Sequence, residues 1–298
     1  MRKIFISLFG ILIINIANAQ WIQKSINEKI NLKSVHFTDA NTGYAVGDSC
    51  YAVVNNVYCC GIILKTTDGG TNWTTQNYYL NPLHSVFFLN QDTGFAVGNK
   101  GLFVKTTNGG TNWEFQTIDS NYYFTNVCFT DYNTGYAVGG INVDSTYLKT
   151  LILKTTDGGT NWSQLSTGLT NNCVLNICFP NPDTGFATAY NGKILKTTDA
   201  GSTWTLYSVD CEYGNKCFFV NDTLGYLTGS KFEPSVQEYH HKIFKTINGG
   251  AEWTLVKSIS GSSEIGSLNS IFFINVDTGY IVGNGLSIIK TENGGTVW

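Results

Sequence analysis

Thr66-Thr67-Asp68-Gly69-Gly70-Thr71-Asn72-Trp73 is the first of six copies of one phrase, Thr-x-Asp/Asn-x-Gly-x-x-Trp, and a lysine precedes every copy. The others occupy residues 106–113, 155–162, 197–204, 246–253 and 291–298. Their tryptophans stand 40, 49, 42, 49 and 45 residues apart. A period of that size without helical patterning predicts stacked four-stranded units arranged as an all-β propeller.

A second phrase recurs about midway through each unit. It reads Asn41-Thr42-Gly43-Tyr44-Ala45-Val46-Gly47 in the first and Asp92-Thr93-Gly94-Phe95-Ala96-Val97-Gly98 in the second, with counterparts at Gly135, Gly185, Gly225 and Gly279. Each unit therefore divides into strand a, a tight turn, strand b, a b–c connection, strand c, the boxed turn and strand d. The Asn/Asp-Gly clusters at both turns predict positive φ angles. Ala96 and Gly98 predict close packing on strand b.

Within the box the expected roles are structural. Asp68, Asn108, Asp157, Asp199, Asn248 and Asn293 should bond the backbone of their own turns, and Trp73, Trp113, Trp162, Trp204, Trp253 and Trp298 should pack the outer strand. A calcium loop needs several carboxylates, whereas each box offers one at most. No metal and no cofactor is expected. The lysines before the boxes (Lys65, Lys105, Lys154, Lys196, Lys245, Lys290) read as strand ends snorkelling to water.

Residues 1–19 read as a signal peptide: Arg2 and Lys3, an apolar run, then Ala17-Asn18-Ala19. The expectation is a single propeller domain over residues 20–298, exported to the periplasm, cell surface or medium, with no transmembrane span and monomeric. Removing Arg2 and Lys3 leaves 16 lysines against 21 acids, net −5, and no arginine. That balance excludes steering toward nucleic acid. Trp21 repeats the position of a box tryptophan, so residues 21–26 form an orphan outer strand. Pairing it with the sixth unit closes six blades; a chain continuing past Trp298 would make seven.

All eight cysteines follow the leader, which predicts disulfides in an oxidising compartment. Cys211 with Cys217 is the strongest pair, Cys50 can face Cys59 or Cys60, and Cys173 with Cys178 is a third candidate. Cys128 and Cys178 read equally well as buried thiols, because Phe87 and Phe272 fill the same column elsewhere.

The box resembles the Asp-box, or BNR, repeat; Thr197-Thr198-Asp199-Ala200-Gly201-Ser202-Thr203-Trp204 fits it at every position. With Gly-Tyr-Ala-Val-Gly and Leu-Lys-Thr-Thr-Asp-Gly-Gly, the chain resembles the photosystem II stability/assembly-factor-type propellers, in a secreted bacterial, non-photosynthetic branch. The resemblance implies a propeller and a binding scaffold. Because the same repeat decorates sialidases and other glycosidases, it does not by itself assign chemistry. A sialidase grips its substrate carboxylate with three arginines, which the mature chain lacks. No carboxylate pair recurs at a telling position for another glycosidase.

Loop length is the remaining clue. The b–c connections are long in units one (residues 48–60), three (140–150) and five (230–242), and a propeller gathers them on one face. They carry Asp144, Tyr147, Phe232, Glu233, Glu238, Tyr239, His240 and His241, the expected binding residues. The expected partner is a protein, or alternatively an extracellular glycan held by a lectin or a divergent hydrolase. Adjacent His240 and His241 face opposite ways in a strand and are poorly placed to share one metal; with Glu238 they could form only a weak transition-metal site, and an exposed loop is the preferred reading.

Overall fold

The computed structural model describes residues 30–53, 56–142, 148–260, 267–284 and 288–298. Every regular element in them is a strand. Five sheets of four antiparallel strands and a sixth with three described strands form the six blades of a β-propeller, each a simple meander. The a strands, Ile30–Phe37, Leu83–Phe88, Tyr122–Phe129, Val174–Cys178, Tyr213–Phe219 and Leu268–Phe273, line the axis, and each packs against the next in sequence.

Within a blade the box works as its residues suggest. The Thr66 hydroxyl accepts the Gly70 N–H at 2.9 Å and donates to Asp68 Oδ1 at 2.9 Å, while Asp68 Oδ1 accepts the Asn72 N–H at 2.8 Å. Asn108 keeps that geometry, accepting the Asn112 N–H at 2.9 Å. One oxygen suffices to hold the turn, which is why Asp and Asn interchange there. These backbone bonds hold the Asp68 carboxyl below its ordinary range.

The a–b turns differ from the sequence reading. Gly43 and Gly94 have no positive φ; the positive-φ glycines are those of the boxes, such as Gly69 and Gly70, together with Gly101, Gly168 and Gly192. The a–b turn is held instead by an Asx side chain: Asp39 Oδ1 accepts the N–H groups of Asn41 (2.7 Å) and Thr42 (2.8 Å). Gly43 pairs with Phe37, whose ring lies 2.7 Å from where a Cβ would be. Glycine is there to admit a ring. Gly139 shows the other close approach expected of strand b, since a Cβ would sit 1.9 Å from the Tyr123 carbonyl oxygen.

Between blades, the lysines do not reach for water. Lys65 Nζ donates to the Gly109 carbonyl of the next blade's box at 2.7 Å, and the Tyr44 hydroxyl donates to the same oxygen at 2.8 Å. Lys154 and Tyr136 meet on Ala200 O, and Lys245 and Tyr226 on Gly294 O. Where the aromatic is phenylalanine, the lysine acts alone: Lys105 on Gly158 O and Lys196 on Gly249 O. The same aromatic ring stacks on the next blade's strand-a phenylalanine, as Tyr44 does on Phe88 at 3.9 Å and Phe95 on Phe129 at 3.6 Å. Five junctions share this clamp.

The sixth differs. Lys290 pairs with Glu292 of its own box. Val35 of blade one is 59% exposed, whereas Val86 and Val127 at the same register are 5% and 2% exposed. The expected pairing of residues 21–26 with the last blade lies outside the described residues.

Two substitutions test the clamp and the packing by urea unfolding. Tyr136→Phe leaves Ala200 O only its lysine and should cost about 1 kcal/mol. Gly139→Ala drives a methyl into backbone that cannot yield, and should cost about 1–3 kcal/mol.

Candidate functional site

In their described residues the long b–c connections are extensions of the b–c ladder. In blade one, Gly43–Val53 and Asn56–Thr66 pair out to Val53 opposite Asn56. In blade three, Gly135–Asn142 pairs with Leu148–Thr155; in blade five, Gly225–Glu233 pairs with Glu238–Thr246 out to Glu233 opposite Glu238. Alternation of side chains then fixes which residues can meet a partner. Each projects as a hairpin beyond the short b–c turns of blades two and four.

The fifth hairpin carries most of the expected residues. Phe232 and Tyr239 are cross-strand partners with ring centroids 5.2 Å apart, and Tyr239 is exposed. His240 Nδ1 lies 3.4 Å from Ser258 Oγ, while His241 on the opposite side is buried, so the two histidines diverge as strand geometry requires. Asp144 and Tyr147 of the third hairpin lie outside the described residues. The base of the fifth hairpin is braced by Asp210, whose carboxylate takes Lys231 at 2.5 Å and Lys242 at 2.6 Å. Both hydrogen bonds hold the Asp210 carboxyl below its ordinary range.

The first hairpin is tied by a Cys50–Cys59 disulfide, which settles the choice left open with Cys60. Cys50 and Cys59 stand directly opposite in the ladder. Neither other candidate bridge is present: Cys173, Cys178, Cys211 and Cys217 are free thiols. Cys217 belongs to the middle of strand a, opposite Leu227, whereas Cys211 precedes that strand and lies against Gly229. The strand register separates the two.

Sequence reasoning missed the rim of the axial opening between the hairpins. His84 and Tyr123 pack with ring centroids 5.0 Å apart, and His84 Nε2 lies 2.7 Å from Asn99 Oδ1. Tyr190 and Tyr213 form an edge-to-face pair at 5.6 Å and are 37% and 39% exposed. The signal was present as one register position: Tyr123 and Tyr213 each stand one residue before the partner of a strand-b glycine (Gly139, Gly229), where other blades have Asn31 and Pro82. Alignment on the tryptophans alone passes over it.

Further along the axis, toward the box face, the a strands of blades one to five enclose a cavity of about 290 Å³. At one register position Ser34, Ser85, Asn126 and Asn176 each accept a backbone N–H from the next blade, those of Val86, Val127, Ile177 and Cys217. Blade five places Lys216 at that position, and among the described residues its ammonium has no carboxylate or hydrogen-bond partner. Burial lowers its pKa. His36 at the cavity wall is lowered first by burial and then by the charge of Lys216.

The sequence model of a family described as photosynthesis system II assembly factor YCF48 matches residues 79–170. No curated protein matches the chain in sequence. Among solved structures, YCF48 from Cyanidioschyzon merolae is 14% identical at a TM-score of 0.52, over 92% of this chain and 98% of that one. A structure titled YCF48 bound to D1 peptide is 17% identical at 0.47, over 89% and 94% of the two chains. The GH74 enzyme of Niastella koreensis is 18% identical at 0.63, over 88% of this chain but 45% of that one. The chain is thus a BNR-type propeller resembling the photosystem II assembly-factor family.

His36 and His84 should make the fold acid-sensitive. Burial comes first among the causes that hold both below the ordinary 6.5. The unfolded chain therefore takes up protons near pH 6.5 that the folded one refuses, so stability is full above that pH and falls as pH drops below it. Denaturant midpoints measured at pH 7.5 and 5 should show the loss. His36→Phe, filling the column as Phe87 does, should reduce it.

Proposed function

We propose that this protein is an exported, non-enzymatic scaffold that captures a polypeptide on its b–c face. The single observation behind this reading is the set of hairpins rising from alternate blades around an aromatic rim. Rigid aromatic groups with polar neighbours suit protein contacts. The described parts of the hairpins are paired ladders, so an extended segment can lie between them at a smaller entropic cost than between free loops. The box face is committed to inter-blade clamps, which leaves the b–c face for partners. Resemblance to an assembly-factor family supports the same class of work. Export rests on the leader-like residues 1–19 and would be tested by locating the tagged chain in cell fractions.

The alternative is a carbohydrate-active protein, supported by the fold shared with the GH74 enzyme. A glycan array and soluble polysaccharide substrates address it. Sugar binding or hydrolysis there would replace the scaffold reading.

The decisive variant replaces residues 232–239 by Asn-Gly, closing the fifth ladder at Lys231 and His240 and leaving the Asp210 brace intact. Folding should persist, and capture of the physiological partner, identified by crosslinking in the native host, should weaken about 30-fold or more. Ile247→Ser, on an exposed box turn, is the control and should leave capture unchanged. The lysines before the boxes are unsuitable controls, because they hold the ring.

A further inference from the structure

Cys178 ends strand a of blade four and Cys217 lies in strand a of blade five. Their sulfurs are 2.7 Å apart. That is inside van der Waals contact and short of the ~2.05 Å of a bond. We propose that Cys178 and Cys217 are a disulfide site that joins blades four and five across the wall of the axial cavity.

The register of the ring explains why this pair alone meets. Cys178 pairs with Phe186, the aromatic of strand b, and Cys217 stands one register position earlier on the next blade. At the first of these register positions the other blades hold His36, Phe87, Cys128, Phe218 and Phe272, and at the second Val35, Val86, Val127, Ile177 and Ile271. Only between blades four and five are both cysteine. The strands are also held together there independently of sulfur. Asn176 Oδ1 accepts the Cys217 N–H at 3.2 Å, so the cysteines are already in place before any bond forms.

Chemistry follows from access. Cys178 is half-buried and Cys217 buried, and both line the 290 Å³ cavity. The Cys178 thiolate attacks oxidised glutathione, expelling one glutathione thiolate and forming a mixed disulfide. The Cys217 thiolate then displaces the second glutathione. Two protons and two electrons leave the protein, and two reduced glutathiones form. The hydrogen bond with Cys217, and then burial, hold the Cys178 thiol well above its ordinary pKa, so the reaction is faster in mild alkali. The bridge closes a loop of 39 residues in sequence and is independent of whichever partner binds the opposite face.

The test treats purified protein with oxidised glutathione at pH 8.5, blocks free thiols under denaturant and maps tryptic peptides. Trypsin places Cys178 with Cys173 in residues 155–193, Cys211 in 197–216 and Cys217 alone in 217–231. The expected result is 155–193 linked to 217–231, with fragmentation assigning the link to Cys178. Alkylated Cys178 and Cys217, or a link from Cys217 to Cys211, Cys173 or Cys128, overturns the proposal. A second readout uses a Cys50→Ser/Cys59→Ser background, in which reduction should lower Tm by several degrees. Adding Cys217→Ser should abolish that shift. A shift of unchanged size in that variant also overturns it, and if the variant does not fold the peptide map decides.

Discussion

One carbonyl oxygen at each of five junctions organises this molecule. The glycine-rich turn of the box in blades two to six points it at the preceding blade, where a lysine and, at three junctions, a tyrosine hydroxyl converge on it. The turn can present that oxygen only because Thr and Asp or Asn side chains have satisfied its N–H groups from within. A charge-assisted bond to a carbonyl is worth more than a neutral one, and each lysine ammonium also lies over an aromatic ring. Intra-blade turn and inter-blade contact are therefore one device.

That device gives the two faces different duties. On the box face, turn length is held by the network, and the boxes are nearly identical in sequence. On the b–c face the short turns of blades two and four bond to the next blade, Gly101 N–H to Tyr122 O and Asn191 N–H to Glu212 O, whereas the ladders of blades one, three and five lengthen instead. The fifth has acquired its own brace in Asp210, and the first a covalent tie in Cys50–Cys59. Variation has accumulated where the architecture tolerates it, which is also where a partner can be met.

Fold class and blade count were legible because a period of strands and turns is written directly in residue spacing. The box network was legible too, since Thr, Asp and Gly act within a few residues of one another. The b–c extensions were located correctly but read as loops: Cys50-Tyr51-Ala52 and Lys231-Phe232-Glu233 continue a strand pattern whose partner is visible only once register is known. The aromatic rim was missed because Tyr123 and Tyr190 belong to different blades, and no local pattern connects them.

The sequence by itself determined the repeat, the antiparallel meander and the interior of each box, all governed by contacts between near neighbours in the chain. Tertiary structure alone decided what lies between blades: that Lys65 clamps Gly109, that Tyr190 meets Tyr213, and that Cys217 faces Cys178 rather than Cys211. Tyr190 and Tyr213 are 23 residues apart, and the other pairs about 40. Which residues meet over such spans depends on the angular step from one blade to the next. That step is set by the packing of aromatic rings on whole sheets, a property no short segment carries.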